Sequence, residues 1–242
     1  GGIQYSMYAE ELLLESEPYQ RTIAGTSRSA NNINRGIVQY LPGTKIEANA
    51  INALMKKNNI TTKLYTESKA NEESFKALAG KNVGIIHLAT HGFYWSEEDA
   101  EERSYVNFLA NMNNKMQTFE DKALLRSGLF FSGANIGLAG EELPDDVEDG
   151  VLTAKELSAM NLGNVDMVVM SACQSGLGET SGEGVFGLQR GFLCLNCYPP
   201  PVPWTHCGLR SKMERMRFTW DSAAAMRVRA PGTLHRMNCA RR

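Results

Sequence analysis

Two residues in this sequence have side chains suited to covalent chemistry and stand in similar local settings. His91 follows the run VGIIHLAT and is followed by Gly92; Cys173 follows VDMVVMSA and is followed by Gln174, Ser175 and Gly176. A thiol with its ordinary pKa of about 8.5 is only slightly ionised at neutral pH, and a nearby imidazole lowers that value and produces a strong nucleophile. An imidazole with an unperturbed pKa near 6.5 can also hand a proton to a leaving amine. Gly92 removes a side chain where backbone must approach a substrate carbonyl, so its N–H and that of Cys173 could form an oxyanion hole, worth roughly 2.7–4 kcal/mol per donor. Taken singly, a cysteine is commonly a small core residue and a histidine at a strand end a satisfied polar group. The small flanks of both (Ala89 and Thr90; Ser171 and Ala172), with Gly176 and Gly178 beyond, fill a core poorly and suit a site.

The elements that must position these residues follow from the pattern around them. Apolar runs at 83–89 and 165–170 read as buried parallel strands, whose carboxyl ends form sites in open α/β sheets. Two such ends side by side would bring His91 and Cys173 together. Around them the sequence alternates: a helix at 7–16 with a polar loop to residue 36, an apolar run at 37–41, then Pro42, Gly43 and a cap-like Thr44 opening a helix through Met55. A strand candidate at 61–65 and a short helix at 72–78 closed by Gly80 come next. Residues 96–122 read as a surface loop or insertion, 124–131 as apolar again, and 143–150 as an acidic turn. Thr153 with Glu156 is a capping box, and 182–192 reads as a glycine-tolerant helix packed near the second strand. Strands spaced by helices imply an α/β fold with a mostly parallel sheet flanked by helices.

The 242 residues, 43% hydrophobic and 21% charged, are ordinary for a globular chain, and the net charge of −2 gives no sign of nucleic-acid or membrane binding. No apolar stretch reaches the roughly 18 residues needed to cross a bilayer, and no basic, then apolar, leader opens the chain. A soluble, cytoplasmic protein is expected, and the Gly-Gly start suggests a fragment or processed chain. Cys173 is the sole cysteine of residues 1–192, which excludes a disulfide framework there.

Other candidates carry less. His87 lies four residues before His91, a spacing that puts both on one face of a strand, but it sits mid-strand and we assign no metal. Asp145, Asp146, Glu148 and Asp149 form either a solvated loop or a substrate contact. In the second case Asp146, Glu148 and Asp149 would make an acidic wall favouring a basic group, such as Arg or Lys, on the substrate.

Residues 193–242 differ in kind. They hold nine basic residues against two acidic ones, leaving 16 against 25 in residues 1–192, together with four of the five cysteines and five of the eight prolines. Cys194, Cys197, His206 and Cys207 supply four zinc-ligand types, but the adjacent second pair departs from finger spacing. An arginine-rich nucleic-acid tail lacks interleaved aromatics. The abrupt switch in composition reads as translation in a shifted frame, with a divergent tail as the alternative. A lost C-terminal strand would then leave the sheet edge beside the Cys173 strand bare.

HLATHGFYW at 87–95, LLRSGLFFSGAN at 124–135, EDGVLTAKEL at 148–157 and VVMSACQSGLGE at 168–179, followed by GEGVFGLQRGF, together resemble the CHAT domain, a caspase-like family. The resemblance spans roughly residues 40–192, so that 1–36 is expected as a leading helix and linker, 37–192 as the domain and 193–242 as the tail. It implies a caspase-hemoglobinase fold, cysteine endopeptidase activity on a protein or peptide, His91 and Cys173 as the dyad, and no cofactor. In the family the Asp-Gly-x-Leu-Thr-Ala element lies near the site. An upstream tetratricopeptide-repeat region or regulatory partner is also implied. Ser171 stands where caspases carry Gln, and Gly176 comes one residue late, so caspase-style specificity for Asp is not carried over. The second reading is a non-catalytic interaction domain that keeps the fold.

Overall fold

The computed structural model describes residues 1–19, 37–96, 119–141, 143–144, 147–174, 176–181, 184–193, 219–221 and 225–229. The two apolar runs form β1 (Ile85–Ala89) and β5 (Met167–Ser171), which pair in parallel from Ile85 opposite Met167 to Ala89 opposite Ser171. Their inward side chains, among them Ile86, Val168 and Met170, are buried with Phe75, Leu157 and Phe192 in the largest core cluster. Burial of such side chains supplies roughly 1.5–3 kcal/mol each.

The sheet is less parallel than the sequence suggests. Its order is β1-β5-β9-β8, where β8 (Thr219–Asp221) and β9 (Ala225–Arg229) both run antiparallel to their neighbours. Among the described residues, β1 and β5 are therefore the one parallel strand pair of the sheets. The flank of β5 expected to be bare is paired instead, Met167 opposite Arg229 and Ser171 opposite Ala225. The strand AMRVR alternates apolar and basic residues over only its last four positions, too short a period to stand out in an arginine-rich tail.

A second, antiparallel sheet holds β2 (Gly92–Tyr94), β3 (Ser127–Phe130) and β4 (Val151–Thr153). β2 follows β1 after two residues, so the chain leaves the first sheet at Thr90–His91 and enters the second at once. Phe93 stacks on Trp95 and Phe130, with centroids 4.4 and 4.8 Å away. A side chain at Gly128 would collide with the Phe93 ring and the Leu152 backbone, which is why glycine stands there.

The helices are α1 (Ala9–Ser16), α2 (Pro42–Lys57), α3 (Glu72–Lys76), α4 (Phe119–Leu125), α5 (Ala134–Ala139), α6 (Ala154–Ala159) and α7 (Leu188–Leu193). α2 starts earlier than Thr44, because Pro42 at its first position has the φ a helix needs and no N–H to lose. Thr44 instead donates its hydroxyl to the Leu41 carbonyl at 2.7 Å. The Thr153–Glu156 capping box is present in full at α6. Residues 61–65 form no ladder. Nor is 182–192 a single helix: Gly178–Ser181 and Gly184–Gly187 make a hairpin, β6 and β7, ahead of α7. GEGVFG, with three glycines and a β-branched valine, disfavours helix and suits a tight strand reversal. Gly191 lets α7 close on the Ala154 carbonyl and Leu157 of α6.

The leading segment belongs to the same core. Ile3 and Tyr5 are buried with Phe93, Phe130 and Val151, and Leu12 of α1 with Ile136 and Val147.

Candidate active site

The parallel register places the carboxyl ends of β1 and β5 side by side. Ala89 faces Ser171, the Thr90 N–H extends the pairing by donating to the Ser171 carbonyl (3.2 Å), and His91 and Cys173 each lie two residues beyond the last paired positions. Ala172 is buried and anchors the turn, while Cys173 is an exposed free thiol. A Cβ on Gly92 would collide with the Cys173 carbonyl oxygen and touch Ala172 Cβ at 3.5 Å. The backbone next to His91 and the backbone of Cys173 are thus in contact.

The orientation of Gly92 follows from β pairing. Phe130 N–H donates to the His91 carbonyl (3.0 Å) and Trp95 N–H to Arg126 (2.8 Å), so the odd-numbered amides of this strand face β3. Antiparallel alternation turns the Gly92 N–H to the opposite side. On that side the Tyr94 N–H meets Gln174 Oε1 at 3.0 Å, tying β2 to the residue after Cys173. Gln174 holds a left-handed φ of 57°, uncommon for a side chain other than glycine, Asn or Asp, and its carbonyl accepts from Leu177 N–H at 3.0 Å. That sharp turn is what lifts Cys173 out of the strand into solvent.

His91 is held from three sides. Its backbone N–H donates to the Tyr5 hydroxyl (3.3 Å), which also hydrogen-bonds Thr90 Oγ1 (2.9 Å), and the two rings lie 5.3 Å apart. Burial pushes the Tyr5 phenol above its ordinary pKa, so it stays protonated. The Nε2 atom lies 2.8 Å from the carbonyl oxygen of Gln39. A carbonyl can only accept, so the proton sits on Nε2 and, in the neutral ring, Nδ1 is left as the base. The group that orients the imidazole is a main-chain oxygen, which no residue pattern could have revealed.

The other candidates have different partners. His87 Nε2 binds Glu47 Oε1 at 3.0 Å, and Glu47 Oε2 accepts from Ser171 Oγ at 3.0 Å, so Glu47 braces β1 to β5 and His87 is not paired with His91. Burial lowers the His87 pKa more than Glu47 raises it; the Gly1 amino group also faces it. The neutral form is therefore favoured in the fold. Stability should be undiminished above the unfolded value of about 6.5 and should decline as pH falls from there towards the lowered folded value. Urea unfolding at pH 7.5 and 5.5 should show a smaller acid loss for His87→Gln than for the wild type, and equal losses would refute the assignment.

Glu148 pairs with Lys76 at 2.7 Å, and its N–H donates to Glu73 Oε1 at 2.8 Å. Asp149 is buried, with Oδ1 accepting the Val151 N–H at 2.9 Å. Asp145 and Asp146 lie outside the described residues, as do Cys194, Cys197, His206 and Cys207. Lys76 Nζ lies 2.7 Å from both Glu72 and Glu148 and 3.2 Å from Glu156, a carboxylate cluster that sequence reasoning missed. The three carboxylates could hold a metal by spacing alone, but an ammonium already stands among them. Its only local signal is the Glu72–Lys76 pair one helical turn apart.

The chain belongs to the CHAT domain family, whose model matches residues 12–195. That family is associated with a cysteine-peptidase-like fold, and the matched span takes in α1 from Leu12 onward, β1 to β7, and both His91 and Cys173. No curated protein and no solved structure matches the chain. No helix among the described residues is long and apolar enough to cross a membrane.

Proposed function

We propose that the chain is a cysteine endopeptidase with a caspase-hemoglobinase-type fold, cutting a protein or peptide through Cys173 and His91. The observation that carries this is the contact of Gly92 with the Cys173 backbone at the joined ends of β1 and β5, with the neighbouring imidazole oriented by a carbonyl. The Cys173 thiolate attacks the scissile carbonyl carbon, a C–S bond forms, and the carbonyl electron pair moves onto oxygen. The N–H groups of Gly92 and Cys173 stabilise that oxyanion. Collapse of the tetrahedral species breaks the C–N bond as His91 gives a proton to the leaving amine. His91 then takes a proton from water as its oxygen attacks the thioester, and collapse releases the acid and restores the Cys173 thiolate beside protonated His91. Regulation comes from an upstream region or a partner.

The test is labelling by a panel of peptidyl acyloxymethyl ketones, with the modified cysteine located by mass spectrometry because the sequence holds five. Labelling at Cys173 that falls at least tenfold in His91→Ala is expected. Equal labelling of the two proteins would leave the non-catalytic interaction domain as the better reading.

A further inference from the structure

We infer that Asn135 is a positioning residue for His91, acting through the main chain of Val38 and Gln39; this rests on the peptidase reading above. Asn135 is the second residue of α5, directly after β3 and its following turn. Its side-chain amide makes both possible main-chain bonds to one residue: the Val38 N–H donates to Oδ1 at 2.8 Å, and Nδ2 donates to the Val38 carbonyl at 3.0 Å. Nδ2 also donates to Ser6 Oγ at 2.6 Å, and the Asn135 N–H donates to the Tyr5 carbonyl at 3.1 Å.

Val38 is the residue immediately before Gln39, whose carbonyl receives Nε2 of His91. Residues 37–41 lie in no ladder, so no neighbouring strand fixes them. The Asn135 amide does instead what a neighbouring strand would do, satisfying both the donor and the acceptor of one residue. With Val38 clamped, the next carbonyl is aimed at the imidazole. The same asparagine, through its backbone, also holds Tyr5, whose hydroxyl receives the His91 N–H. The Gln39 and Tyr5 hydrogen bonds to His91 thus both trace back to one residue of α5. Neither aspartate, which cannot donate to the Val38 carbonyl, nor serine, which is too short, can make the paired bonds.

Losing the clamp frees the Gln39 carbonyl, so Nε2–H loses its fixed acceptor and the proton redistributes between the two ring nitrogens. A smaller fraction of molecules then presents Nδ1 as the base. The test is made on the full chain with Asn135→Ala and, in case that protein does not fold, Val38→Pro, which deletes the N–H that Asn135 accepts while leaving its side chain in place. Two quantities are read: the ¹⁵N shifts of the His91 ring, and the rate of Cys173 alkylation by iodoacetamide against pH, followed by mass spectrometry.

In the wild type the ring should be a single Nε2–H tautomer. In either variant the tautomers should mix, and the His91-dependent part of the alkylation rate at pH 7 should fall about tenfold. A single Nε2–H tautomer and an unchanged pH profile in the folded variant would overturn the role of Asn135 alone. A wild-type ring protonated on Nδ1 would overturn it as well. If His91→Ala leaves the alkylation of the wild-type chain unchanged, the peptidase reading fails and this role with it.

Discussion

Replacing Cys173 by alanine is expected to abolish peptide hydrolysis, and replacing His91 by alanine to lower kcat/KM by about 10²–10⁴, the usual worth of a positioned general acid/base. The more discriminating variant is Gly92→Ala. Its new methyl group would meet the Cys173 carbonyl oxygen, so either β2 or the turn at Cys173 must move. Movement of either displaces one of the two N–H donors from the point where the oxyanion forms, and loss of a single donor lowers turnover by about 10²–10³-fold. Crowding costs stability too, about 1–3 kcal/mol, so turnover should be measured well below the unfolding temperature, on protein whose circular dichroism matches the wild type. Such a protein turning over substrate at the wild-type rate would show that Gly92 serves packing and that the oxyanion site lies elsewhere.

The part of this site that could be read in the sequence is the part written in side-chain types. The runs at 83–89 and 165–170 are mostly apolar, and each ends in small residues followed by a reactive one. The parallel pairing then places the two ends together, as Ala89 opposite Ser171 shows. What escaped is carried by the main chain or by distant partners. The Gln39 carbonyl is an acceptor that every residue type possesses. Asn135 is one asparagine in a turn-like SGAN, and its bond to Val38 spans most of the domain in sequence. The strand Gly184–Gly187 lies inside the 182–192 expected as helix, and its four residues are too few to show an alternation. The antiparallel cover on β5 comes from a segment whose overall composition masks a brief alternation. Outside the hairpin the deciding contact is long-range, whereas periodicity reports only on local surroundings.

The largest stability effect is expected at Lys76. Its ammonium lies among Glu72, Glu148 and Glu156 and joins α3, the acidic turn and the capping box of α6. The Glu72 side chain is 0% exposed and that of Lys76 only 15%. Removing one partner of a buried charge cluster costs about 3–5 kcal/mol, because the remaining charge is left without compensation. Here Glu72, Glu148 and Glu156 would lose the ammonium they share, with Glu73 beside them already raised in pKa by burial and by the charge of Glu148. Lys76→Met keeps the length and apolar stem of the side chain, so the loss should be electrostatic rather than a cavity. Its pH dependence gives the diagnosis. Without the ammonium, repulsion and burial lift the folded-state carboxylate pKa values above those of the unfolded chain. The folded variant then binds the extra protons, and its deficit relative to the wild type should shrink as pH falls from 7.5 to about 5. Urea unfolding of both proteins at these two pH values decides the matter. A Met variant as stable as the wild type at pH 7.5, or a deficit independent of pH, would mean that the cluster is held by packing of α3 on α6 and that the charges contribute little.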